Sequence, residues 1–312
     1  MSKLDFSLFP LSRRLFYATL LSLALFYPGH NALQSIILHP GPIKSYVLGD
    51  YALAPYPVND GTAIPILYSR SVVVQDVNSK VIMYSHYPDR ILLPASTTKI
   101  MTALVALDNY SLDQVLTIKT EDRAVGSTME LVRGEQISIE NLLYGLLVHS
   151  GNDAALALAE NVAGGYDGFV RRMNDKAQEL HLDSTVYKHP SGVESYGHVT
   201  SARDLAVLAA VAVQNPVINK IMQTKKITVT DLTGTIPHVL ETTNDLLGVL
   251  DGVKGLKTGW TENAGECLVT YVERDGHPII TVVLGSSDRF GDTTRLIDWV
   301  YAHHHWIDIK DN

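Results

Sequence analysis

Serine and lysine three positions apart on a helix lie on one face, about one turn from each other. The chain offers that pair in Pro94-Ala95-Ser96-Thr97-Thr98-Lys99. Pro94 marks the helix entry, so Ser96 falls in the first turn. There the unpaired backbone N–H groups and the positive end of the helix dipole favour a developing alkoxide. The Lys99 amine is within reach of the Ser96 oxygen, and Ile100 and Met101 give it apolar neighbours in which an amine can act as a base. The chemistry on offer is nucleophilic attack by serine. By composition, a Ser-x-x-Lys match arises about once in a few hundred residues. Taken alone, the motif is usually explained by a helix-capping serine followed by a surface lysine.

Two later motifs carry complementary groups. His149-Ser150-Gly151-Asn152 precedes an apolar run. It reads either as a turn with an N-cap or as a second hydroxyl and an amide presented at a helix start. Lys257-Thr258-Gly259-Trp260 follows Lys254-Gly255-Leu256. It reads either as a Gly-rich strand edge or loop, or as backbone that a ligand approaches closely. In the second reading a cation and a hydroxyl side by side grip a substrate carboxylate.

These groups need elements to hold them. Val72 to Val77 and Val81 to Tyr84 are β-rich runs joined at Asn78-Ser79, and Cys267 to Glu273 and Pro278 to Leu284 flank the turn dipeptide Asp275-Gly276. Between these two hairpins the period is helical. Ile100, Met101, Leu104 and Leu107 line one helix, and Leu142, Leu143, Leu146 and Leu147 follow a Ser138 cap. Ala154 to Val162 form a third, stopped by Gly164-Gly165. Phe169, Val170, Met173, Ala177 and Leu180 line a fourth, and Ala202 to Val213 and Thr293 to Tyr301 supply two more. Strands at both ends with helices between them predict an α+β fold, an antiparallel sheet flanked by helices with a helical subdomain.

The 312 residues carry 46% hydrophobic and 19% charged residues, enough for a substantial core. A net charge of -8 and the lack of a long basic run leave nucleic-acid binding without electrostatic support. In residues 1–32, Lys3, Arg13 and Arg14 precede an apolar run from Leu15 to Tyr27, the pattern of a signal peptide or an N-terminal membrane anchor. The chain is therefore expected to be exported, to the outer face of the cytoplasmic membrane, the periplasm or the cell wall. Residues 33–65, with five prolines, read as a linker or irregular lead-in, and residues 66–312 as the catalytic domain. The single Cys267 permits no internal disulfide and reads as a buried small hydrophobe. No Cys/His spacing calls for a metal, no cofactor is expected, and His303-His304-His305 reads as a polar helix end.

In order along the chain, Ser-x-x-Lys, Ser-x-Asn and Lys-Thr-Gly resemble the active-site set of penicillin-binding proteins and serine β-lactamases. The surrounding stretches narrow the resemblance. They are Gly126-Ser127-Thr128-Met129, Leu142 to Leu147 leading into Ser150 to Ala155, His189-Pro190-Ser191-Gly192, Thr200 to Ala206, and Gly255 to Gly259. From about residue 66 to about 302 the chain looks like the low-molecular-mass D-alanyl-D-alanine carboxypeptidases of peptidase family S11.

That resemblance implies a β-lactamase/transpeptidase-like DD-peptidase fold and a role for each group. Ser96 would attack the penultimate D-alanine carbonyl of a peptidoglycan stem peptide, and Lys99 would take its proton. Ser150 and Lys257 would relay a proton to the leaving D-alanine, with Lys257 also lowering the proton affinity of Lys99. Asn152 would bind the substrate amide and hold Lys99. Backbone N–H groups of Ser96 and Trp260 would form the oxyanion hole, beside Gly259, each donor worth about 3 kcal/mol. Thr258 would hold the terminal carboxylate, helped by Arg289, for which a solvated turn arginine is the alternative. Trp260 is bulkier than the His, Tyr or Phe common in the family. β-Lactams would be covalent inhibitors, and any membrane attachment would come from the N-terminal segment. D,D-endopeptidase activity on cross-links uses the same residues. A class A β-lactamase would need a deacylating glutamate, and His181 to Val193 contains none. A non-catalytic β-lactam-sensing module would not need the nucleophile–base pair.

Overall fold

The computed structural model describes residues 11–26, 54–119 and 125–308. The chain divides into two units, Met1–Ala52 and Leu53–Asn312. In the first, helix α1 (Leu11–Phe26) exposes Leu15, Phe16, Leu20, Leu21 and Leu23. Among the described residues no single helix is long and apolar enough to cross a membrane. Residues 1–10 and 27–53, which include parts of the expected leader and lead-in, lie outside the described residues.

The second unit runs, in chain order, through β1 (Tyr56–Asn59), β2 (Ser71–Asp76), β3 (Ile82–His86), a 3₁₀ turn (Ala95–Thr98) and α2 (Lys99–Asn109). Next come β4 (Val115–Thr117), β5 (Gln136–Ser138), α3 (Ile139–Leu147), α4 (Asn152–Asn161) and α5 (Gly165–Glu179). The chain continues with α6 (Ala202–Ala212), α7 (Pro216–Met222), β6 (Lys226–Thr230), β7 (Pro237–Glu241) and β8 (Val253–Thr261). It closes with β9 (Gly265–Arg274), β10 (His277–Ser286), α8 (Arg289–His303) and β11 (His304–Ile307).

The main sheet has the order β3-β2-β10-β9-β8, antiparallel throughout. Its centre is buried on both faces, so β2 is buried along its whole length and carries three consecutive valines, Val72 to Val74, rather than an alternating pattern. Alternate residues feed two cores. Val73, Val269, Ile280 and Val282 join the helical side, while Val72, Val74, Leu268, Val272 and Val283 meet Leu296, Ile297 and Val300 of α8. Each such side chain, fully buried, contributes about 1.5–3 kcal/mol before entropy costs. The β9–β10 turn has positive φ at both Asp275 (52°) and Gly276 (77°), as the dipeptide predicts for a type I′ turn. Helices α3, α6 and α8 start on side-chain caps: Ser138 Oγ accepts from Asn141 N (3.3 Å), Ser201 Oγ from Asp204 N (3.2 Å), and Asp288 Oδ1 from Gly291 N (2.9 Å). Cys267 is fully buried, and burial pushes its thiol up to about 11.

Two expectations are corrected. The lead-in is not irregular at its C-terminal end, because β1 pairs antiparallel with β11, Tyr56 opposite Ile307 and Asn59 opposite His304. Folded structure therefore begins before residue 66. The triple histidine is not simply a helix end either, since α8 stops at His303 and His304, itself buried, opens β11. Both strands are four residues long, and Pro57 suits a two-stranded edge.

Candidate active site

The nucleophile turn is tighter than the expected α-helical start. Ser96 lies on the 3₁₀ turn, entered through Ala95 at φ 48°, and is pinned by two hydroxyls. Thr97 Oγ1 donates to Pro94 O (2.7 Å) and Thr98 Oγ1 to Ala95 O (2.8 Å). Lys99 opens α2 directly behind it and is wholly buried. Its Nζ lies 2.9 Å from Ser96 Oγ, 2.6 Å from Asn152 Oδ1 and 2.8 Å from Ser191 O. Burial first, then the charge of Lys257, pulls the Lys99 amine well below the ordinary lysine range, against a smaller opposing pull from Asp153. A neutral amine has two N–H donors and one lone pair. With Asn152 Oδ1 and Ser191 O taking the donors, the lone pair faces the Ser96 hydroxyl.

The second motif is held from behind. Ser150 has φ 63°, so the α3–α4 junction turns sharply and brings its side chain to the cleft wall. Asn152 N donates to Ser127 O (2.7 Å), and its Nδ2 donates to Val125 O (2.5 Å). Asp153 accepts from Met129 N (3.0 Å) and Leu131 N (3.1 Å), fastening the loop that carries Gly126 and Ser127 into the same wall.

The third motif lies on edge strand β8. Lys257 is buried and donates to Thr258 O (3.0 Å), and burial with the nearby Arg289 charge draws its amine down to about 7. Thr258 Oγ1 and Thr243 Oγ1 are 2.5 Å apart. Gly259 packs against the nucleophile turn so closely that a Cβ there would lie 2.9 Å from Ser96 N. Trp260 keeps 64% of its surface exposed at the cleft rim. Arg289, first residue of α8, donates to Gly259 O (3.0 Å) and is no solvated turn arginine. Its guanidinium also lies 4.7 Å from the Phe290 ring centroid.

Ser96, Ser150, Asn152, Thr258, Gly259, Trp260 and Arg289 thus line one cleft of about 630 Å³, with Lys99 and Lys257 buried behind it. Nucleophile, base, second hydroxyl, amide and cation meet there, an arrangement competent for acyl transfer.

Four contributors were not assigned from sequence. The Ser191 carbonyl, the Asp153 carboxylate and Thr243 complete the shell. His198, 1% exposed, holds the loop from Lys188 to Ser191 against the nucleophile turn. Its Nδ1 accepts from Lys188 N (2.9 Å), so Nε2–H faces Thr98 Oγ1 (2.9 Å). Only the neutral ring fits these partners, and burial, with His189 and Lys188 adding, lowers it from 6.5 to about 4. Above pH 6.5 the unfolded and folded rings are both neutral and the contribution is fully present. Between 6.5 and 4 the unfolded chain binds the extra proton, so stability falls with pH by up to about 3 kcal/mol. Urea unfolding at pH 7 and pH 5 is expected to record about 2 kcal/mol of this loss, and less of it in His198→Gln.

The sequence matches the D-alanyl-D-alanine carboxypeptidase family, Peptidase_S11, over residues 60–288. It is 33% identical over 245 residues to the D-alanyl-D-alanine carboxypeptidase DacF of Bacillus subtilis, an alignment covering 76% of this chain and 63% of that protein. It is 37% identical over 243 residues to a D-alanyl-D-alanine endopeptidase of Pseudomonas aeruginosa, covering 75% of this chain and 77% of that one. In three dimensions it is similar to the Streptomyces K15 DD-transpeptidase, with a TM-score of 0.73, 30% identity, and coverage of 77% and 100%. A similar match, TM-score 0.68 at 29% identity with the same coverage, is to the ampicillin-bound penicillin-binding protein D2 of Listeria monocytogenes. With the α+β sheet and the assembled serine–lysine cleft, these matches show that the chain belongs to the S11 family of D-alanyl-D-alanine carboxypeptidases.

Proposed function

We propose that this chain is a serine-type carboxypeptidase that removes the terminal D-alanine from peptidoglycan stem pentapeptides through a Ser96 acyl-enzyme. The observation that carries this reading is the Lys99 amine, fully buried, deprotonation-prone and 2.9 Å from Ser96 Oγ. In the first step Lys99 Nζ takes the Ser96 proton while Oγ bonds to the carbonyl carbon of the penultimate D-alanine. The oxyanion forms between the backbone N–H groups of Ser96 and Trp260. The C–N bond then breaks, and the departing D-alanine amine receives a proton relayed through Ser150 and Lys257. Water hydrolyses the ester, releasing the shortened peptide and restoring Ser96. Asn152 binds the substrate amide, and Thr258, Lys257 and Arg289 form the cationic end that takes the terminal carboxylate.

A fluorescent penicillin is expected to label the protein, and a stem pentapeptide to lose one D-alanine, with both lost in Ser96→Ala. Full D-alanine release by that variant would falsify the mechanism. The 37% identity to a protein named as an endopeptidase favours cross-link cleavage as the second reading. Incubation with intact peptidoglycan and mass analysis of the products separates the two: loss of alanine alone marks the carboxypeptidase. Against a β-lactamase stands the lack of a glutamate in residues 181–193, so the penicillin label should persist.

Lys257 makes substrate binding pH-dependent. A bound carboxylate favours its charged form, and the free amine titrates at about 7. Affinity for a D-alanyl-D-alanine peptide, measured on Ser96→Ala, is expected to fall as pH rises above 7, by up to about tenfold per unit. Lys257→Gln should bind weakly and without that slope.

We propose further that residues 1–32 direct export and tether or release the enzyme outside the cytoplasmic membrane, where its substrate lies. The run of exposed leucines on α1 supports this. Cell fractionation with N-terminal sequencing tests it, and retention of the full chain in the cytoplasm would count against it.

A further inference from the structure

The cleft carries charge of both signs. Arg289 donates to Gly259 O (3.0 Å) beside the buried Lys257, whereas Glu194, Glu262 and Asn263 also line the cleft, the last two following the end of β8. Glu194 and Glu262 are both exposed. Glu194 is held in place beside the end of β8, since its carboxylate accepts from Asn263 N (3.2 Å) and Asn263 Nδ2 (2.5 Å). Those bonds, with one from Thr261, keep it below the usual glutamate range and therefore anionic. A carboxylate offers about four lone-pair sites, so Asn263 leaves acceptor capacity toward the cleft.

The edge position of β8 sets the scale. A substrate strand laid antiparallel along it advances about 3.3 Å per residue. With the terminal carboxylate at Thr258 and the reacting carbonyl at Trp260 N, the residues upstream come level with Thr261 to Asn263, beside Glu194. A peptide bearing a carboxylate at one end and an amine on an upstream side chain would match both signs of charge in this cleft.

We infer that Glu194 is a specificity-determining residue selecting substrates with a free side-chain amine upstream of the D-alanyl-D-alanine end. This rests on the carboxypeptidase reading for the direction in which substrate lies. The amine donates to Glu194, whose fixed position keeps the ordering cost low, and Glu262 adds charge without a fixed geometry.

The test compares two peptides, Nα-acetyl-Lys-D-Ala-D-Ala and its Nε-acetylated counterpart, binding to the Ser96→Ala protein by calorimetry. The free amine is expected to bind at least fivefold more tightly at low salt, and the ratio to shrink at high salt. In Ser96→Ala/Glu194→Gln the ratio should fall below two, the glutamine still accepting from Asn263. A ratio below two in Ser96→Ala, a ratio unchanged by Glu194→Gln, dependence on Glu262→Gln instead, or binding of neither peptide would each overturn the inference. D-Alanine release by the unmodified enzyme is read separately, so loss of the carboxypeptidase reading is distinguishable from loss of this one.

Discussion

Acylation of Ser96 by a fluorescent penicillin is expected to fall about 10³- to 10⁴-fold in Lys99→Met, and by as much in Lys99→Arg. The methionine keeps the stem and removes the amine. The arginine keeps a cation but cannot give up its proton, so it cannot accept one from Ser96. If Lys99 acted mainly as a positive charge, arginine would rescue and methionine would not. The fold should bear the methionine change better than the chemistry does. Asn152 Oδ1 and Ser191 O each lose a donor, at about 1–3 kcal/mol apiece, while a desolvated amine is also removed. The measurement is the second-order rate of labelling beside the urea midpoint. Lys99→Arg retaining more than a tenth of the wild-type rate would sink the assignment of Lys99 as base.

The side chains that do this chemistry were legible because three short motifs, each with an ordinary explanation alone, follow one another in the order of a known active-site set. Ser96, Ser150, Asn152 and Thr258 line one cleft, with Lys99 and Lys257 buried behind it. The third partner of Lys99 was not legible, since Ser191 contributes a carbonyl and every residue has one. His198 was hidden for a related reason: its role depends on backbone donors at Lys188 and a hydroxyl 100 positions earlier, at Thr98.

Where function displaced pattern, the sequence left strand edge and loop both open. β8 carries glycines at 255 and 259, which weaken any strand signal, yet it forms the edge of the main sheet. The long hairpin β9–β10 was readable from Asp275-Gly276 and its β-branched flanks. β1 and β11 are too short for periodicity to register and find each other only across the whole domain. The positive φ of Ala95 also has no sequence signal, and it converts the expected helical turn at Ser96 into a 3₁₀ one.

Gly259→Ala is expected to slow acylation about 10²- to 10³-fold with only a modest loss of stability. The added Cβ would lie 2.9 Å from Ser96 N, 3.2 Å from Thr97 N and 3.1 Å from Ala95 Cβ. None of these is the end of a flexible side chain, so either β8 or the nucleophile turn must move. Both proposed oxyanion donors, Ser96 N and Trp260 N, ride on those two elements. Donors of this kind work only within about 2.7–3.1 Å of the oxyanion, and losing one costs about 10²–10³ in rate. Overpacking of one methyl costs about 1–3 kcal/mol, so the variant should still fold. The damage should appear as a fall in the acylation rate constant rather than in the affinity of the first complex, because the oxyanion exists only after attack. Stopped-flow labelling separates those quantities. A variant that acylates within threefold of wild type would mean that close packing of Gly259 on the Ser96 turn does not set the reacting geometry.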